Sequence, residues 1–138
     1  MTQNPTQSRI QTATPSLFRI NIEVGDLDAA HRFYAELLGQ EGRPQMGRRV
    51  YFEAGAVTLQ VVQVEPAHTA AKALYFLTAD LDGVHARATA LGCLSSEMVH
   101  GEPGGQPVVR PWGERSFYAD DPWGNPLCFV EAGTVYEG

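Results

Sequence analysis

The stretch GDLDAAHRFYAELLG, residues 25–39, returns in altered form as ADLDGVHARATALG, residues 79–92. Asp26, Leu27, Asp28, His31 and Leu37 recur 54 residues later as Asp80, Leu81, Asp82, His85 and Leu91. Self-similarity of this kind in a short chain points to one structural unit built twice. Asp26 or Asp28 can accept the unpaired N–H groups at the start of a helix, and Gly39 can turn the chain out of it. Ala30, Phe33, Leu37 and Leu38 fall on one stripe of that helix. The second copy is capped in the same way and ends at Gly92. On this reading Asp26, Asp80, His31 and His85 serve as caps and solvated helix surface rather than as chemistry.

Strands flank both helices. LFRINIEV (17–24) alternates, with Phe18, Ile20, Ile22 and Val24 on one face and Arg19, Asn21 and Glu23 on the other. RVYFEAG (49–55) and AVTLQVVQV (56–64) follow as strands joined at Ala54-Gly55. In the second copy ALYFLT (73–78), LSSEMVH (94–100), ERSFYAD (114–120) and NPLCFVE (125–131) read as strands. The turn-rich loops GEPGGQP (101–107) and DPWGNP (121–126) lie between them. The predicted class is α+β: two βαβββ units, at about 17–64 and 73–131, forming a curled mixed-sheet cup with the helices outside. The apolar strand faces then meet the helices and the polar faces line the cup, so Arg19 and Asn21 point inward.

A chain of 138 residues suits one domain, here 16–138 behind a flexible segment, 1–15, rich in Thr, Gln and Pro. The net charge of -6 and the lack of any basic run longer than Arg48-Arg49 argue against nucleic acid or an anionic membrane as partner. Cys93 and Cys128 form no CxxC pair, which points to a reducing, cytoplasmic setting. No apolar run near Met1 reads as a signal peptide or anchor. His68, Glu97, His100 and Glu102 have no metal-ligand spacing and read as surface residues. Cys93, after a helix end, reads as packing rather than as a nucleophile.

The paired units, DLDAAHRFYAELLG and above all FYADDPWGNPLCFVE (117–131) resemble the glyoxalase/bleomycin-resistance/dioxygenase, or vicinal oxygen chelate, superfamily over about residues 17–131. The resemblance implies a cup whose floor, in the metal enzymes, holds one divalent ion on His, Glu and similar ligands from the first and last strands of each unit. Carried over by position, those ligands fall on Arg19 in RINIEV, Gln60 in TLQVV, Ala73 in ALYFLT and Cys128 in GNPLCFVE. Arginine repels a metal, alanine has no donor, glutamine is a weak one and a single cysteine is not a site. The expectation is therefore no metal and no cofactor, as in the bleomycin-resistance type.

Such a cup would bind a small organic molecule through aromatic rings and a polar rim. The candidate contacts are Arg19, Asn21, Gln60, Tyr75, Trp112, Ser116, Tyr118 and Cys128. Trp112, on a Pro- and Gly-flanked loop, is expected beside the entrance, and Trp123 at the rim. Arg19 is expected to take an anionic or oxygen-rich ligand unless Glu53 or Glu114 pairs with it. The family commonly pairs, so a homodimer is implied, with the pocket open to sharing between subunits. Two other classes stand beside this one: a metal-dependent lyase, isomerase or dioxygenase, and a scaffold whose filled cup serves only association.

Overall fold

The computed structural model describes residues 17–70 and 72–137; the expected flexible segment, 1–15, lies outside them. The first unit runs β1 (Arg19–Val24), α1 (Leu27–Leu38), β2 (Arg43–Gln45), β3 (Arg49–Ala54) and β4 (Val57–Gln63). Its sheet has the order β1-β4-β3-β2, with β1 and β4 parallel and the other pairs antiparallel. The second unit runs β5 (Leu74–Thr78), α2 (Leu81–Leu91), β6 (Met98–Val99), β7 (Glu102–Pro103), β8 (Val108–Val109), β9 (Arg115–Asp120) and β10 (Pro126–Glu131). Its sheet has the same order, β5-β10-β9-β8, again with its first and last strands parallel. The parallel pairing requires a crossover in each unit, and the helix lies within it. The α+β class with two βαβββ units is thus the observed one.

The repeated Asp-Leu-Asp phrase starts both helices. The Asp26 carboxylate accepts the Ala29 N–H at 3.1 Å and Asp80 accepts that of Gly83 at 3.0 Å, so the first aspartate of each phrase is the cap. Gly39 (φ 66°) and Gly92 (φ 68°) end them in the left-handed region, where a side chain would be strained. In α1 the buried residues are Ala30, Phe33, Tyr34 and Leu37; Tyr34 takes the place expected for Leu38. In α2 they are Leu81, Val84 and Ala88. Each large aliphatic or aromatic side chain so buried contributes roughly 1.5–3 kcal/mol. The helices pack on the apolar faces of their sheets and on each other, so one core runs through both units.

The histidines of the phrase differ from expectation. His31 is half-buried edge-on to Phe52, with ring centroids 6.0 Å apart. His85 meets Phe117 in the same way at 5.1 Å and reaches the Gly105 carbonyl at 3.1 Å. Each packs edge-on against a phenylalanine of its own sheet rather than standing in solvent. Two strand expectations also change. Arg43–Gln45 forms an edge strand that the short, charged sequence did not announce. In LSSEMVH only Met98–Val99 is a strand, and it pairs with Glu102–Pro103 as a separate ribbon. The edge of the second sheet is instead Val108–Val109.

The DPWGN phrase joins the units. Asp121 accepts the backbone N–H groups of Trp123 (2.9 Å) and Asn125 (2.8 Å) on one oxygen, and the Tyr34 hydroxyl (2.7 Å) on the other. The Asn125 amide donates to the Glu23 carbonyl at 3.0 Å and accepts the Ala70 N–H at 2.7 Å. Trp123, expected at a rim, instead packs partly buried against the core. A Cβ at Gly25 would sit 2.9 Å from its indole nitrogen, which is why a glycine precedes the first Asp-Leu-Asp. From α2, the Arg87 guanidinium donates to the Leu37 carbonyl at 3.2 Å, satisfying an open carbonyl at the end of α1.

Candidate functional site

Strand register brings the sequence-derived residues together in two groups. On the first sheet Asn21 lies opposite Gln60, and Gln60 opposite Tyr51. These residues and Arg19 therefore share the face turned away from α1. The Gln60 amide donates to the Asn21 side-chain oxygen at 2.6 Å. Arg19 is exposed, with its guanidinium 5.0 Å from the Phe18 ring and 5.4 Å from that of Tyr51. Arg43 approaches the same Tyr51 ring at 5.8 Å. Glu53 is held by Arg43 at 2.6 Å, and Arg19 forms no ion pair among the described residues. Tyr51, flanked by two cations, is a member of this group that the sequence reading missed.

On the second sheet Cys128 lies opposite Tyr75 on one side and Tyr118 on the other, while Ser116 pairs with Val130. Tyr75, Ser116, Tyr118 and Cys128 therefore share one face. The hydroxyls of Tyr75 and Tyr118 are 3.3 Å apart, and their rings meet edge to face at 6.4 Å. Tyr75 is 62% exposed, while Cys128 is fully buried beneath the pair. Burial pushes the Cys128 thiol up to about 11, against the opposing pull of the Tyr118 and Ser116 hydroxyls and of Arg110. Near neutral pH it is a neutral thiol and a poor nucleophile. Burial, and then the bond to Tyr75, also raises Tyr118.

The residue that organises this face is Arg110, which the sequence reading passed over. Its side chain is almost wholly buried. Nε donates to the Ser116 hydroxyl at 3.0 Å, and one terminal nitrogen donates to the Ser116 carbonyl at 3.0 Å. The guanidinium carbon lies 5.4 Å from the Tyr118 ring. Trp112, two residues on, is half-buried; its indole N–H donates to Glu114 at 2.8 Å and its ring meets His100 at 4.9 Å. Among the described residues no hydrogen bond joins the first group to the second.

A groove of about 630 Å³ runs between the units. Ile20 of β1, the whole of β5, and Leu37, Leu38 and Arg87 of the helices are among its walls. The two sheets stay separate along it, since β1 and β5 do not pair. Of the eight residues singled out from sequence, Tyr75 alone lines it.

The four positions that the resemblance gives to metal ligands do not suit a metal. Arg19 is a cation, Gln60 is bonded to Asn21, Ala73 has no donor and Cys128 is held as a thiol. Among the described residues no three His, Cys, Asp or Glu side chains come together as a ligand set. No described helix is long and apolar enough to cross a membrane.

Solved structures of the same architecture are numerous. Oxidase ChaP-H1 superposes with a TM-score of 0.73 at 24% identity, over 91% of this chain and 100% of its own. A glyoxalase/bleomycin resistance protein from Albidiferax ferrireducens T118 gives 0.68 at 23%, over 82% and 95%. A lactoylglutathione lyase from Agrobacterium tumefaciens gives 0.63 at 24%, over 92% and 100%. No curated protein matches the chain. The family model for the Glyoxalase/Bleomycin resistance protein/Dioxygenase superfamily spans residues 16–129, both units and the DPWGN turn that ties them, and the chain belongs to that superfamily.

Proposed function

We propose that this protein binds a small organic molecule, such as an antibiotic or metabolite, on the polar faces of its sheets and holds no metal there, a sequestering role of the bleomycin-resistance kind. The observation that carries the reading is the side-chain set at the four ligand positions: a guanidinium, an amide, a methyl group and a buried neutral thiol. Arg19, Asn21 and Gln60 on one sheet and Tyr75, Ser116, Tyr118 and Cys128 on the other are the proposed contacts, with Trp112 at the entrance. Tyr51 joins them on structural grounds. The reading includes a cytoplasmic homodimer. Tyr75 and Leu77, exposed two apart on the edge strand β5, support the pairing, because exposed apolar groups favour association.

A metal-dependent lyase, isomerase or dioxygenase is the competing reading, and it draws on the likeness to a lactoylglutathione lyase and an oxidase. Native mass spectrometry of the gently purified protein separates the two. The expected result is a dimer carrying an organic adduct and no transition metal. A stoichiometric metal that survives dialysis and is lost in the Gln60→Ala, Cys128→Ala double variant would overturn the proposal.

A further inference from the structure

Among the described residues Arg110 is a buried cation with no anion. It is 2% exposed, yet it belongs to none of the arginine ion pairs among the described residues, which are those of Arg43 and Arg115. Nearby Glu114 is committed elsewhere, to the Trp112 indole at 2.8 Å and the Tyr136 N–H at 2.9 Å. Nε and Nη2 are bonded to Ser116, and Nη2 also reaches the Gly104 carbonyl at 3.4 Å. Nη1 is buried and has no acceptor among the described residues. Leaving a charged donor buried and unpaired is strongly unfavourable. A water molecule would satisfy its hydrogen bonds but not its charge.

We propose that Arg110 is the anchor of an anion site on the second sheet, and that the group it takes is the carboxylate of a small, planar, monoanionic ligand. The inference rests on the small-molecule reading above and names the class of ligand. One free guanidinium nitrogen beside neutral hydroxyls balances a single negative charge and leaves a phosphate dianion short of donors. Tyr118 covers the guanidinium, and its hydroxyl pairs with that of Tyr75. Their two rings offer apolar faces to a flat ligand body. The net charge of -6 repels anions in general, so selectivity for one must come from this local cation. Arg19, the anion anchor expected from sequence, is exposed and in contact with rings, and makes no comparable demand for a partner.

The test compares benzoate with its neutral isostere benzamide by calorimetry on the full chain. The expected result is at least a tenfold preference for benzoate in the unaltered protein. Arg110→Gln should abolish that preference, and Arg32→Gln, on the exposed surface of α1, should retain it. If Arg110→Gln does not fold, the charge preference of the unaltered protein and of Arg110→Lys still decides. The lysine keeps the charge but loses the fork, and should keep a weakened preference. No benzoate binding, equal binding of the two probes, or a preference that persists in Arg110→Gln or vanishes in Arg32→Gln would overturn the proposal. An organic adduct in native mass spectra beside a failed benzoate test would remove Arg110 from the site and leave the binding reading standing.

Discussion

On the first sheet the polar face is open: Arg19 and Asn21 are exposed and Arg43 reaches over Tyr51 from the edge. On the second sheet the inner part of the equivalent face is covered, with Ser116, Cys128 and Val130 buried alongside Arg110, while Tyr75 on the edge strand β5 stays exposed. The two units share their caps, strand order and pairing. They differ in what lies between the helix and the second long strand. The first unit turns quickly through Arg43–Arg49, whereas the second spends residues 93–114 on a ribbon, a short edge strand and the Arg110 turn. The shared frame is therefore in the helices and the ladder, and the chemistry that sets the units apart was added in one connection. What the two units share is local and repetitive, and what separates them is a connection that carries a charge inward.

Three measurements break or sharpen this comparison. The largest effect is expected at the repeated leucines of the helices. Leu37 is fully buried while Leu91 is half-buried. Leu37→Ala should cost about 3 kcal/mol in urea unfolding and Leu91→Ala roughly 1 kcal/mol. Equal costs would mean that α2 packs as tightly as α1, and the asymmetry would be confined to the loops. Next come the caps. Asp26→Ala and Asp80→Ala should each cost about 1 kcal/mol, and by matching amounts, since each carboxylate accepts the N–H three residues on at nearly the same distance. A cost at one position alone would show that the repeat conserves a sequence without conserving its energetic role.

The smallest effect near neutral pH, growing in alkali, belongs to the second unit. Burial raises both thiols, Cys93 and Cys128, to about 11 from an ordinary value of 9.0. Between these values the unfolded chain has lost protons that the folded chain keeps. Stability should therefore be unaffected by the thiols below about pH 9 and fall as the pH rises toward 11. In Cys93→Ala, Cys128→Ala that fall should flatten when unfolding is followed from pH 8 to 11. A curve of unchanged slope would assign the alkaline sensitivity to other groups.

Much of this frame is legible in the residues themselves. Asp26, Gly39, Asp80 and Gly92 act within four residues of their own positions, so sequence reports them directly. The alternation of β1 and the GNPLCFVE strand set the register, and the register placed Tyr75, Ser116, Tyr118 and Cys128 on one face. What was illegible depends on distance. Arg110 sits in VVRPWGE, which reads as a solvated loop, and only folding shows its guanidinium drawn under Tyr118. Tyr34 looked like one more aromatic of a helix, because its partner Asp121 is far along the chain. His31 and His85 have the composition of helix surface, and their aromatic neighbours come from other strands. The sheet edges failed for a related reason: Arg43–Gln45 and Val108–Val109 are too short to show alternation.

The Tyr34–Asp121 and Asn125–Glu23 bonds join residues 87 and 102 positions apart, and this bears on how the protein comes into being. The first unit leaves the ribosome well before Asp121 exists. During that interval the Tyr34 hydroxyl and the Leu37 carbonyl have no partners from the second unit, and the flank of α1 that meets α2 is bare. Contacts of such long sequence separation slow folding, because chain closure must precede their reward. The sequence looks modular, but neither copy is autonomous: an excised first repeat would carry an unsatisfied helix end and a half-covered core. The two halves of this chain must therefore be inherited, synthesised and folded together, although each is written as though it could stand alone.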